Sequence, residues 1–200
     1  TSILLFPDFT TSNRGMNRED RGNYNKVEEV FGSIGCSVLV NIKALNGDRL
    51  FSDKYFAYRE DDELSWRLRF YGKKNYFCPT SIVWHKHSFS SGPKSEFKLF
   101  YTERNRIFNL ITYAPWWYLP ASLFYTLKRY MQHSRSTKSI PSTARYKKIE
   151  YSFIVLKAYL SAAANLFYIL KKRIKINKNK TINNSEILNL LKKYGTRTIQ

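Results

Sequence analysis

The sequence predicts an α/β protein, a sheet-bearing domain followed by amphipathic, basic helices. Three observations lead there. A β-branched run "CSVLVNI", a helical stretch and two strand-like runs, "NYFC" and "SIVWH", follow one another closely before residue 86. From Ser95 onward the apolar residues recur at helical spacing instead. The charge divides along the same line. Residues 1–125 hold 17 Lys+Arg against 13 Asp+Glu, whereas residues 126–200 hold 17 against only Glu150 and Glu186.

Taken in order, the opening "TSILLFPDFTTSNRGMNREDRGNYN" is rich in turn residues and reads mostly as loop. "CSVLVNI" at 36–42, behind "GSIG", reads as a buried strand. A helix is predicted from Asp61 to Tyr71, with acids in its first turn, Leu64, Leu68 and Tyr71 at helical spacing, and Gly72 as its stop. "NYFC" and "SIVWH" are short strands divided by Pro79 and Thr80. The helical pattern after Ser95 runs to Pro115, and an aromatic segment, "WWYLPASLFYTL", follows. Residues 132–148 are polar, basic and proline-containing, a linker.

The run 151–170 is apolar except for Lys157, Ser161 and Asn165, which mark one narrow polar stripe on a helix. A short last helix, "SEILNLLKKYG", is predicted between caps Ser185 and Gly195. The expected organisation is therefore 1–112 sheet domain, 113–131 aromatic helical segment, 132–148 linker and 149–200 basic tail. Cys36 and Cys78 lie in strand-like context and are expected to be buried free thiols of a reducing compartment. The first residue is Thr1 and no signal peptide opens the chain, which suggests the second half of something longer.

Glu60, Asp61, Asp62 and Glu63 are four of the fifteen carboxylates of a chain with formal net charge +19. Like charges repel, so their adjacency needs a reason. Glu63 and Arg67 are four apart with the acid first, the favourable order for a helical ion pair, so Glu63 is assigned to structure. Glu60 and Asp62 suit a helix N-terminus, which favours negative charge by about 0.3–1 kcal/mol. The remaining choice is between a well-charged first turn and a carboxylate that does chemistry.

The surrounding pattern bears on that choice. Tyr55–Phe56, Tyr58, Glu60–Asp61, Glu63–Leu64, Arg67, Gly72, Pro79, His85, Ser88–Ser90 and Tyr101–Arg104–Asn105 occur in that order. The ordered set resembles the C-terminal half of the family 2 glycosyltransferases, and within them the rhamnosyltransferase-like group that builds bacterial cell-surface polysaccharides. The likeness covers about residues 13–112. It implies the acceptor-side part of a GT-A (nucleotide-diphospho-sugar transferase) fold and an inverting hexosyl or deoxyhexosyl transfer from a nucleotide-sugar. A sugar hydroxyl attacking an anomeric carbon must lose its proton, and a carboxylate beside it acts as general base. The resemblance gives that role to Asp61.

It also implies a divalent metal, Mg or Mn, on the leaving diphosphate, with His85 as one ligand. The other reading of His85 is a strand-end histidine. Donor or acceptor binding is expected from Glu60, Trp66, Arg67 and Arg104. Trp66 stacks on a sugar or belongs to the core; Arg104, with Asn105, reaches a phosphate or pairs with Glu103 or backbone. Two departures stand out. The family's Asp-x-Asp motif is not in this chain, and Ser52 followed by Asp53 stands where the family has the Asp of a Phe-Asp-Glu turn.

For the basic tail no helix-turn-helix pattern, zinc spacing or recognition-motif aromatics appear, so nucleic acid is set aside. Trp and Tyr beside Lys and Arg suit an anionic membrane surface, with 151–170 lying in the interface. Packing of that helix on the sheet domain, or a membrane span, are the alternatives. The expectation is a transferase on the cytoplasmic face of a membrane, acting on a lipid-linked or glycan acceptor. The alternative is a non-catalytic basic module that binds a membrane or polyanion.

Overall fold

The computed structural model describes residues 2–86, 95–135 and 148–195, and shows a mixed α/β chain. It forms two compact units, one from Thr1–Phe6, Thr10–His85 and Ile174–Gln200, the other from Pro7–Phe9 and Lys86–Arg173. These units do not follow the expected boundaries. The helical stretch after Ser95 belongs to the second unit, and the C-terminal residues return to the first.

In the first unit, β1 (Ile3–Leu5) pairs antiparallel with β2 (Thr11–Asn13), Leu4 opposite Ser12. β3 (Glu28–Val30) pairs antiparallel with β4 (Asn75–Phe77), Glu29 opposite Tyr76. The opening expected as loop thus contains a hairpin. Residues 36–42 form no strand; Leu39 is fully exposed and the chain passes into a 3-10 turn at Ile42–Leu45. Residues 81–85 likewise have no regular structure, with Ile82 and Trp84 exposed. A strand exists only where a neighbour accepts its hydrogen bonds, and among the described residues neither run has one. Cys36 and Cys78 are both exposed, contrary to expectation: Cys36 lies in the first of these runs and Cys78 just past the end of β4.

α1 (Glu60–Phe70) is the centre of this unit: every residue from Asp62 to Phe70 is buried. Trp66 packs edge-on against Phe31, with ring centroids 4.8 Å apart, and Leu64 and Leu68 pack with Leu45. The helix ends as predicted. Gly72 has φ 68°, Lys73 N–H reaches Leu68 O at 2.9 Å, and Gly72 N–H reaches Arg69 O at 3.0 Å, the paired bonds that close a helix through a left-handed glycine. α6 (Asn184–Lys193) begins at Asn183, not Ser185: Asn183 and Glu186 satisfy each other's backbone N–H groups in a capping box. After it, Gly195 forms a parallel bridge with Leu5 in place of the expected glycine cap.

In the second unit, α2 (Glu96–Tyr113) is capped by Ser95, which accepts the Lys98 N–H, and stops before Pro115. A 3-10 turn at Trp116–Tyr118 leads into α3 (Leu119–Arg135), and α4 (Lys148–Ala164) packs on α2 through Tyr151 and Ile154 around Leu99. The first four residues of the expected linker are thus helical, and 136–147 lie outside the described residues. The apolar run 151–170 is not one helix. It breaks at Asn165, whose side-chain amide donates to Ser161 O at 2.8 Å, and α5 (Leu166–Lys178) leaves at 62°. Two of the three residues of the polar stripe, Ser161 and Asn165, make the bend. Among the described residues no single helix is long and apolar enough to cross a membrane.

Candidate functional site

The four acids are presented by an unusual approach. Phe56, Tyr58 and Arg59 all have φ between 60° and 62°, a conformation that costs a non-glycine residue about 1–2 kcal/mol, and Glu60 starts α1 directly after them. No side chain caps the helix; the acids of its first turn meet its positive end instead.

The structure divides the cluster two and two. Glu63, fully buried, takes the Arg67 Nε at 3.1 Å as its spacing predicted, and Arg67 also donates to Arg49 O at 2.7 Å and Leu50 O at 2.6 Å. Asp62, also buried, accepts from Thr11 Oγ1 and from Arg59 Nη1, each at 2.8 Å. Burial pushes its carboxyl up to about 6 although the Arg59 guanidinium opposes the shift. Arg59 donates to Thr11 as well, at 2.8 Å, which locks the strained residue in place. Asp62 and Glu63 are therefore occupied.

Glu60 and Asp61 are not enclosed in this way. Asp61 is partly exposed; one oxygen accepts the Gly35 N–H at 3.0 Å and the other the N–H of Asp62 at 2.9 Å. Its main-chain carbonyl is held by Ser65 Oγ at 2.7 Å. Two backbone donors fix the carboxylate while its outer lone pairs face solvent. Beside it, Glu60 has an oxygen that is buried without a hydrogen-bond partner among the described residues, and burial raises its carboxyl above the ordinary range. Of the four acids, Glu60 and Asp61 are the two that are only partly buried.

The other expected site residues are placed differently. Trp66 is 1% exposed and its ring is held between Phe31 and Phe70, so it serves the core and not a sugar. Arg67 is buried and its guanidinium is used by Glu63 and the two carbonyls, which removes it from ligand binding. Arg104 belongs to the second unit, where its Nε donates to Asn105 Oδ1 at 3.0 Å and its guanidinium lies 4.4 Å over the Tyr101 ring. The Tyr-x-x-Arg-Asn residues thus form a local stack among themselves. His85 is exposed and is the last residue of the Thr10–His85 stretch of the first unit, and His87 and Ser88–Ser90 lie outside the described residues.

Among the described residues no three His, Cys, Asp or Glu side chains converge as a metal centre requires. The chain's described residues do not by themselves build a divalent site, and His85 stays a single candidate ligand. Three residues that hold the cluster were not singled out from the sequence: Thr11, Gly35 and Arg59. Only Arg59, a cation directly before four anions, left a signal there. No protein-family model matches the chain, and neither a curated protein nor a solved structure is detectably similar to it.

Proposed function

We propose that the chain is the acceptor-side portion of a GT-A-type, inverting glycosyltransferase, with Asp61 as the general base. The observation that supports this is the division of the acidic run: Asp62 and Glu63 are buried in guanidinium pairs, while Asp61 is held by two backbone N–H groups with its outer side open. That is the placement a base needs to meet an acceptor hydroxyl. Glu60, next to it, is positioned to orient the acceptor. The donor in this reading is a nucleotide-sugar, the acceptor a lipid-linked or growing glycan, and the place of work the cytoplasmic face of an anionic membrane. The nucleotide and most of any divalent-metal shell would be held by residues other than the described ones, with His85 as a contribution from this chain.

The test uses the whole gene product with a panel of nucleoside diphosphate sugars and extracted membrane lipid, reading release of nucleoside diphosphate. Asp61→Asn should lower turnover on the order of 10²-fold or more with donor binding nearly unchanged, because only the proton acceptor is lost. Glu63→Gln should act through stability instead. Release unaffected by Asp61→Asn would remove the base assignment, and no release with any donor would remove the transferase reading.

A further inference from the structure

A helix packed in water buries its apolar stripe, and in the second unit α3 does the reverse. On α3 the buried positions are Ser122 and Thr126, 0% and 2% exposed, and Arg129 on the same side is half-buried. Its apolar residues point away: Leu123, Phe124, Leu127 and Met131 are all more than half exposed. α4 has two apolar stripes. Tyr151, Ile154, Ala158 and Ala162 are buried, while Ile149, Phe153, Leu156 and Leu160 on the other side are 54–85% exposed.

Beside the apolar contacts of α2 with α4, the interior holds an ionic cluster. Arg129 donates to Asp8 Oδ2 at 2.7 Å and to Glu103 Oε1 at 2.8 Å, and Arg106 donates to Glu103 Oε2 at 3.0 Å. Two acids and two guanidiniums balance, so this centre needs no water. The charge left over is cationic and lies on the outer faces. α3 has no acid between Leu119 and Arg135, exposed Lys128 follows Leu127, and Lys157 Nζ sits 4.4 Å from the Phe153 ring. Lysines set among exposed apolar side chains argue against a protein partner, whose contact surfaces are depleted in Lys. They suit a leaflet, where the stem lies along the apolar layer and the ammonium reaches a phosphate.

Trp116 and Trp117, 54% and 60% exposed, stand at the start of α3, as aromatic residues do at a membrane boundary. Among the described residues no single helix is long and apolar enough to cross: 17 residues span about 25 Å against roughly 30 Å of hydrocarbon, and α4 and α5, long and apolar enough only as a pair, are bent by 62° at the break between them.

We propose that the outer faces of α3 and α4 seat the second unit in the interfacial layer of one anionic leaflet, helices in the membrane plane. The proposal takes only its setting from the sugar-transfer reading, and its test contains no sugar donor, so either can fail alone. Not every basic residue of the unit belongs to the contact. Arg173 donates to Ala114 O at 2.7 Å and lies 4.0 Å from the Trp116 ring, so it closes the end of α2 and is not available to lipid.

The experiment floats the full chain with vesicles of phosphatidylcholine, alone or mixed with phosphatidylglycerol. The parent should float with the mixed vesicles. Leu123→Asp with Leu127→Asp on α3, and Leu156→Asp with Leu160→Asp on α4, should each reduce partitioning by roughly tenfold or more. Ile82→Asp in the first unit should not. Lys128→Gln with Lys157→Gln, which leaves the packing untouched, should lower binding on the order of tenfold and only on the anionic vesicles. As a readout that needs no surface variant to fold, brominated acyl chains should quench Trp116 and Trp117 in a Trp84→Phe background. A parent that does not float, an α3 variant that floats like the parent, or absent quenching overturns the proposal. So does resistance to carbonate extraction, which indicates a span, or an α3 variant that changes only a dimer into a monomer.

Discussion

Replacing Arg129 by Met is the most demanding perturbation of the second unit. The guanidinium makes three charge-assisted hydrogen bonds, at 2.7 Å to Asp8 and at 2.8 and 3.1 Å to the two oxygens of Glu103. Both acids are nearly inaccessible, at 3% and 2% exposed, so neither can exchange the lost partner for water. Removing one member of a buried ionic set costs about 3–5 kcal/mol, mostly as the desolvation of what stays behind. For a chain of this size that is a fall in Tm of roughly 6–20 °C. Glu103 keeps Arg106 at 3.0 Å and the Tyr130 hydroxyl at 2.9 Å, which places the expectation inside that range and not above it.

The second variant carries the reasoning. Arg129→Met combined with Glu103→Leu removes one charge of each sign and should be less damaging than the sum of the single changes by about 2 kcal/mol. Thermal unfolding followed by far-UV circular dichroism supplies the four corners of the cycle, and amide exchange across α2 locates the loss. If Arg129→Met lowers Tm by less than about 2 °C, or the two changes simply add, then no paired ionic centre holds α2 to α3.

Two further perturbations test the first unit. A Cβ at Gly32 would lie 2.3 Å from the Ser65 Cβ on α1, so Gly32→Ala should cost about 3 kcal/mol in urea unfolding, and Ser65→Gly should recover part of it. Agreement between the single and double variants would mean β3 and α1 do not approach in this way. Glu29 is held at about 2, against an ordinary 4.5, chiefly by the hydrogen bond from Arg69 and also by the Tyr194 hydroxyl at 2.9 Å. Because the folded value is the lower one, this contribution to stability is complete above about pH 4.5 and is lost as pH falls toward 2. Glu29→Gln should flatten that part of the acid-denaturation curve, and an unchanged curve would remove Glu29 from the contact.

Sequence alone determined the features whose causes are local. The extent of α1 follows from four acids at one end and Gly72 at the other, and the Glu63–Arg67 pair follows from their spacing. Ser95 and Pro115 bound α2 for equally local reasons. Even where the chosen cap was wrong, the correct one was within reach, since Asn183 and Glu186 are three apart. Of the three expected strands, "NYFC" holds, as Asn75–Phe77 paired with Glu28–Val30; the other two failed because a β-branched run specifies only a willingness to pair. Residues 36–42 and 81–85 look like strands and have no neighbour here, while Thr11–Asn13 looks like loop and has one in Ile3–Leu5.

The candidate site was legible as a run of acids but not as two kinds of acid. Which carboxylates are occupied depends on Thr11 and Gly35, which lie 51 and 26 residues before their partners. The bend at Asn165 and the inward turn of Ser122, Thr126 and Arg129 were likewise invisible, because hydropathy along a helix says which residues share a face, not which face is covered. That choice fell to the tertiary structure. Asp8, Glu103, Arg106 and Arg129 satisfy one another at a single point, and with that ionic centre on the inside the apolar face of α3 is left outside.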